Sequence, residues 1–447
     1  MTIDIQQHLW NQRIPLKEAI KELVRIPSVI QESGGVLPFG KGIDDALRRT
    51  LDIAQRLGFR TKYGDGGYYG YAEIGEGEDL IGILGHLDVV PAGSLDSWNT
   101  NPFDPVEQDG RLHGRGVRDD KGPTLAALFA AKALMDAGVT FRKRVRFIFG
   151  TDEETLWRGI KRYVECEEKP SIGFSPDAKF PVIHAEKGLL EFYLEGSNES
   201  SVNLKGGNAF NTVPDSILYT GAEQDALAAK LDALGYGYER VEGSITVLGK
   251  AAHASLAEHG INAIARLALA LDAMGVVSKA IRFVAQEVGE DPFATNIFSE
   301  CLDEPSGRLK FNVGKIDIGD KEQLSIDIRI PVTIPKKEIV DKVSAVAREY
   351  GLEYREHDWL APIYMPLDHF LIETLMKVYR QVTGDTTSEP ESSGGATYAR
   401  AIENCVAFGS LLPGRPSVAH LPNEYVVLED LYVAMEVYAH AIYELAM

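Results

Sequence analysis

The stretch Leu80-Ile81-Gly82-Ile83-Leu84-Gly85-His86-Leu87-Asp88 decides the fold. Its apolar run, Leu80 to Leu84, reads as a strand covered on both faces. A second short apolar run, Val145 to Phe149, reads the same way. Between them lies the clearest helix in the chain. Pro123 sits in its first turn, Leu125 to Met135 form its body and Gly138 is its stop. Strand, helix and strand in that order imply a largely parallel α/β sheet. Upstream, Leu16 to Val24 is helix-like, and Ile43 to Leu57 is an amphipathic helix ending at Gly58. In open α/β sheets ligands gather beyond the carboxyl ends of strands. His86 and Asp88 lie at such an end.

Further candidates follow in chain order: Asp119-Asp120, Asp152-Glu153-Glu154, Asp177 and His420. Each has a bland alternative. His86-Leu87-Asp88 could be a polar turn. Asp119 or Asp120 could simply cap the helix that follows. Glu153 and Glu154 could form a solvated acidic turn, or one could ligate a metal while the other handles protons. Asp177 follows Ser175-Pro176, a turn able to fix its direction. Two histidines and several carboxylates, each at a strand end or helix start, are what a two-metal hydrolase needs. Mixed imidazole and carboxylate donors suit zinc, with manganese or cobalt as alternatives.

The middle of the chain has a different texture. Ile245 to Leu248 and Phe311 to Ile318 read as strands. Leu324, Ile326, Ile328 and Ile330 alternate with Ser325, Asp327 and Arg329, the pattern of a half-buried strand with one polar face. Asn262 to Met274 reads as a helix. These features predict a separate α+β domain over residues 186–358. If His420 shares a site with His86, residues 1–185 and 359–447 form one domain with the middle one inserted. A length of 447 residues also favours two domains.

Charge narrows the partners. There are 46 basic and 66 acidic residues, a net of −20. That argues against nucleic acid and anionic membrane, which need a basic face. Cys166, Cys301 and Cys405 are widely spaced and form no CxxC pair, so neither a zinc ribbon nor a disulfide framework is expected. A reducing compartment fits. Met1 to Trp10 does not read as a signal peptide. No apolar run approaches the ~18 residues of a membrane span. The expectation is a cytoplasmic protein.

The combined motifs resemble a known family. GHLDVVPAG (85–93), DGRLHGRGVRDDKGP (109–123), GTDEETLW (150–157), FSPDAKFP (174–181) and AHLPNE (419–424) are similar to those of the two-metal aminopeptidase/carboxypeptidase/aminoacylase superfamily. The bacterial dipeptidase branch of the PepV type is the nearest in pattern. The resemblance implies a mostly parallel-sheet catalytic domain of the zinc-exopeptidase type, with an inserted α+β lid domain. It implies two divalent metal ions. His86 and Asp177 would hold one, Glu154 and His420 the other, and Asp119 would bridge them. Glu153 would be the general acid/base, and Asp88 would orient His86. A cis peptide is expected after Asp119. In the lid, His253 would polarise the scissile carbonyl, while Asn211 and Arg329 would hold the substrate's free carboxylate. Gly394 and Gly395 match a substrate-contacting glycine loop, which here continues with Ala396 in place of a third glycine.

The implied activity is metal-dependent hydrolysis of dipeptides, with a monomer expected and a dimer as the alternative. Among enzymes the rival reading is an N-acyl amino acid deacylase or a carboxypeptidase using the same metals. A non-catalytic peptide- or metal-binding protein is the rival from another class. At the residue level two plain roles stay open: His253 as a cap for the Asn262 helix region, and Arg329 as the partner of a surface acid such as Asp327.

Overall fold

The computed structural model describes residues 5–31 and 36–447. The chain divides into two compact units. The first comprises Met1–His184, Met365–Glu391 and Thr397–Met447, the second Ala185–Tyr364 and Ser392–Ala396. No helix among the described residues is long and apolar enough to cross a membrane.

The first unit is built on a mixed sheet. Its strands run in the order Arg60–Gly64, Tyr69–Ile74, Arg144–Gly150, Leu80–His86, Ile172–Ser175, Cys405–Ala407, Ile183–Glu186. The four central strands, from Arg144–Gly150 to Cys405–Ala407, are parallel, with Ile83 opposite both Phe147 and Phe174. The flanks are antiparallel. On one flank only the short Asp65–Gly67 turn joins the outer two strands. That is too short for the crossover a parallel pair needs.

All seven residues of Leu80–His86 are buried, as its unbroken apolar run predicts. The helix Lys121–Asp136 covers this strand and packs between the helices Gln6–Val24 and Leu428–Ala446. It is buried on nearly every side, which explains its apolar character all round. Its Gly138 adopts φ +75°, the left-handed stop expected there.

The second unit holds a five-stranded antiparallel sheet. Its order is Leu204–Gly206, Lys310–Ile318, Lys321–Ile330, Gly188–Ser197, Glu353–Leu360. Leu324, Ile326, Ile328 and Ile330 enter a core shared with the helices Ala263–Ala273 and Lys336–Glu349. The expected polar face of Lys321–Ile330 does not meet solvent: Ser325, Asp327 and Arg329 are buried too. The half-buried reading fails because Asp327 and Arg329 neutralise each other, which makes their burial tolerable. The short Ser392–Ala396 stretch, read from sequence as part of the first domain, clusters with the second unit instead. Lys187 N donates to Ser393 O at 2.9 Å, and Arg329 Nη1 to Gly394 O at 2.8 Å.

Candidate metal centre and candidate substrate anchors

Leu80–His86 delivers His86 to the carboxyl edge of the sheet, buried at 1 % exposure. Gly85 makes the approach possible. A Cβ there would fall 1.8 Å from Thr124 Oγ1 and 2.9 Å from Asp120 Oδ2. His86 Nδ1 lies 3.0 Å from the carbonyl oxygen of Asp88 and 3.6 Å from its Oδ1. A ring nitrogen facing a carbonyl must carry a proton and donate. Nε2 therefore turns to the carboxylates, 3.0 Å from Asp119 Oδ1 and 3.5 Å from Asp177 Oδ2.

Asp119 is the centre of the cluster. Its Oδ1 faces His86, and its Oδ2 lies 2.9 Å from His420 Nε2. One carboxylate thus addresses two imidazoles, one per oxygen. The same His420 nitrogen is 3.1 Å from Glu154 Oε1. The Asp119-Asp120 peptide is cis. Asp120 occupies the N-cap position of Lys121–Asp136 but makes no side-chain cap. Its Oδ2 accepts from the Thr124 hydroxyl at 2.7 Å and from His86 N at 3.3 Å. The plain capping role left open for these aspartates belongs to neither side chain.

The three acids after the strand Arg144–Gly150 separate into distinct environments. Asp152 is fully buried and grips Arg158 through Nε at 2.8 Å and backbone N at 2.9 Å. It shapes the turn that carries its neighbours. Glu154 N donates to Asp88 Oδ2 at 3.0 Å. Two donor groups each gather within 4.8 Å: His86, Glu153 and Asp177, and His86, Asp119 and Glu154. Behind them Tyr398 is buried, its ring edge-on to His86 and Trp157.

The electrostatics match a cluster short of positive charge. Burial raises Glu153 well above the usual carboxylate range, and the Asp177, Glu154 and Asp88 carboxylates add to this, although His86 pulls it down. Burial and Asp119 push Glu154 up to about 7. For His86, burial opposes protonation, but hydrogen bonds to Asp119 and Asp177 outweigh it and hold the ring well above its ordinary value. Asp88 Oδ1 is buried with no hydrogen-bond partner. Two imidazoles and several carboxylates converging in this way form a donor set that fits divalent cations.

Several residues that support the centre escaped the sequence reading. Glu424 accepts the backbone N–H groups of Gly116, Arg118 and Asp119, and Arg115 Nη1 lies 2.7 Å from its Oε2. Arg118 donates to Ser410 Oγ at 3.1 Å and to Ala178 O at 2.6 Å, next to Asp177. The available signal was the position of Glu424, four residues after His420 in AHLPNE.

The second unit brings its own candidates together. Thr212–Val213 pairs with Ala252–His253, setting Thr212 opposite His253. Ala254 N donates to Asn211 O at 2.8 Å. Asn312 braces the first of these strands, its amide donating to Phe210 O at 2.7 Å and Thr212 O at 3.0 Å. Ser255 N donates to His253 Nδ1 at 3.2 Å, so the neutral ring carries its proton on Nε2. His253 caps the Ala254–His259 turn, whereas Asn262 caps its own helix through Ala265 N. Gly394 passes against Ser255, where a Cβ would fall 2.8 Å from Ser255 Cβ. Gly395 N donates to Ser393 Oγ at 2.9 Å. Arg329 commits Nε and Nη2 to Asp327, at 2.7 Å each. The two-pronged edge that would suit a substrate carboxylate is therefore already in use.

A parallel-centred α/β sheet with imidazoles and carboxylates converging at its strand ends is the build of a metal-dependent hydrolase. The profile of Peptidase family M20/M25/M40 matches residues 82–444, and the chain belongs to this family of metallopeptidases. Relatives extend the match over nearly the whole length. The chain is 38% identical to "Putative dipeptidase YtjP" of Bacillus subtilis, covering 95% of this chain and 96% of that protein. It is 32% identical to "Putative dipeptidase SH1171" of Staphylococcus haemolyticus, covering 98% and 100%. Among solved structures, the dipeptidase Dug1p of Saccharomyces cerevisiae aligns with a TM-score of 0.63 at 14% identity, covering 99% of this chain and 98% of that one. Human carnosine dipeptidase 1 aligns at 0.60 and 17%, with the same coverage. These two likenesses speak to the fold. With the family and the dipeptidase relatives, the chain is a metal-dependent peptide hydrolase.

Proposed function

We propose that the protein hydrolyses dipeptides at a dinuclear metal centre. His86 and Asp177 would hold one divalent ion, Glu154 and His420 the other, and Asp119 would serve both. The observation that carries this reading is Asp119, whose two oxygens face His86 Nε2 at 3.0 Å and His420 Nε2 at 2.9 Å. Bound cations at such a site supply Lewis-acid polarisation of the scissile carbonyl and acidify a water. Zinc suits the donors best, with manganese or cobalt as alternatives.

Glu153 is the general base. Its carboxylate takes the proton of the attacking water and returns one to the leaving amine. Burial, and after it crowding by other carboxylates, raises its affinity for that proton. Asp88 holds the His86 side of the centre, as outer partners of ligand histidines do. The second unit acts as the lid. His253 offers Nε2–H to the carbonyl oxygen as negative charge develops there. Asn211, the outer N–H groups of Arg329 and the backbone at Gly394 and Gly395 receive the C-terminal carboxylate.

A dipeptide panel tests the reading. Metal-stripped enzyme is reloaded with zinc, manganese or cobalt and assayed on free dipeptides and on N-acetyl amino acids. Two ions per chain with turnover of free dipeptides is the expected result. Preference for the N-acetyl compounds would move the assignment to a deacylase. Two ions without hydrolysis of any dipeptide would indicate a binding protein.

A further inference from the structure

Glu424 is fully buried and sits four residues beyond His420, yet the proposed chemistry leaves it unused. One of its oxygens, Oε1, collects three backbone donors: Gly116 N at 3.0 Å, Arg118 N at 2.9 Å and Asp119 N at 3.3 Å. Gly116 adopts φ +85° within this turn. Successive backbone N–H groups converging from such a turn form a nest that takes an anion. Here the anion is supplied by the chain itself. The other oxygen meets Arg115 Nη1 at 2.7 Å. Arg115 in turn reaches the carbonyls of His420 and Leu421, each at 3.4 Å. The backbone of Glu424 joins in, accepting Gly114 N at 3.0 Å.

Two segments far apart in sequence are thus clamped at one point. One is the 114–119 turn, which ends in Asp119. The other is the 420–424 turn, which begins with His420, itself in the left-handed region at φ +65°. A buried ion pair adds little net stability, because desolvation of both ions offsets their attraction. Its cost is better explained by geometry that the neighbouring site needs. Negative charge beside the Asp119–Glu154 pair would otherwise be a disadvantage, since it adds to repulsion among the carboxylates.

We propose that Glu424 is a positioning residue: its nest-bound oxygen fixes the turns that carry Asp119 and His420 before any cation arrives, and Arg115 balances its charge. This rests on the reading of Asp119 and His420 as ligands, and the test separates the two. Apo enzyme is titrated with Zn²⁺ by calorimetry, and its thermal midpoint is measured in parallel. Glu424→Asp keeps the charge but withdraws the acceptor from the nest by one methylene. It is expected to weaken binding of one ion by about 10- to 100-fold, the range for outer partners of metal ligands, while the apo midpoint stays within a few degrees. Glu424→Gln combined with Arg115→Gln restores an acceptor oxygen without a stranded charge, and should return to within about threefold of wild type on the same scale.

Wild-type affinity for both ions in Glu424→Asp overturns the proposal. So does an unfolded Glu424→Asp protein by circular dichroism, which would make the role one of folding. Failure of the double variant to recover also overturns it, because the acceptor is what is held to act. Asp119→Asn and His420→Ala serve as controls. If both bind two ions as wild type does, the ligand reading falls. If they lose an ion while Glu424→Asp does not, the ligand reading stands and only the role of Glu424 is lost.

Discussion

Asp88 Oδ2 accepts the backbone N–H of Glu154 at 3.0 Å, while the Asp88 carbonyl receives the ring of His86 at 3.0 Å. One residue therefore steadies a candidate ligand on each side of Asp119. Asp88→Ala removes only the first of these contacts. The ion held by Glu154 and His420 should then bind about 10- to 100-fold more weakly, and the other ion should change less. Sequential affinities from calorimetry check this, and equal losses at both positions would contradict it.

Glu153 shares the crowded pocket but is assigned the proton rather than a cation. Glu153→Ala should retain both ions by elemental analysis and lose at least ~100-fold in kcat on a dipeptide. Turnover near wild type would remove Glu153 from the chemistry. Loss of an ion would recast it as a ligand, consistent with its grouping beside His86 and Asp177.

Arg329 serves two masters, and mutation should separate them. Arg329→Ala leaves Asp327 buried without its partner, at an expected cost of about 3–5 kcal/mol in urea unfolding. Arg329→Met with Asp327→Leu should recover much of that stability. If Arg329 also receives substrate, the double variant should still show a raised KM for free dipeptides and little change for C-terminally amidated ones. Parallel losses on both substrates would leave Arg329 a purely structural residue.

Glu195 provides a pH test away from the metal centre. Hydrogen bonds from Arg355, and then from Lys321 and Gln323, lower it to about 2, with partial burial opposing them. An unfolded glutamate titrates near ~4.3. A carboxylate with a depressed folded pKa stabilises fully above its unfolded value and loses that contribution as pH falls through the folded one. Wild type should therefore lose stability relative to Glu195→Gln between about pH 4.3 and 2. The size should be small, because the cluster is partly solvated. Parallel denaturation midpoints across that window would show that the cluster contributes nothing.

Metal loading should release protons. His86 is held well above its ordinary value, and hydrogen bonds that His420 donates to Asp119 and Glu154 raise it against the effect of burial. These shifts favour the charged imidazolium on both rings before a cation binds, whereas imidazole ligands must be neutral. Apparent affinity should rise with pH, and the calorimetric heat should vary with the ionisation enthalpy of the buffer. Buffer-independent heats would contradict this.

The parallel centre of the sheet was legible because unbroken apolar runs leave no other face for solvent. The candidate ligands could be picked out as candidates because each ends a strand or opens a turn, and the structure brings them together. Residue chemistry alone left Asp119 and Asp120 alike; the family resemblance picked Asp119, and in the structure it is Asp120 that Thr124 holds. Glu424 was hidden for a related reason: one more acid in a strongly acidic chain reads as a solvated face. The burial of Asp327 and Arg329 was missed because alternation describes side-chain direction, and says nothing of what lies above a polar face. Asn312 could not be found at all, because its partners Phe210 and Thr212 lie far away in sequence.

The pentapeptide Ser392–Ala396 belongs to the second unit, while the residues on both sides of it belong to the first. The inserted unit is therefore sewn in twice, by a long segment and by a short one. Anyone excising residues 185–364 as an independent module would leave Arg329 Nη1 without the Gly394 carbonyl that it holds at 2.8 Å. A faithful excision would have to carry the pentapeptide along, spliced to the end of the insert or supplied as a separate strand.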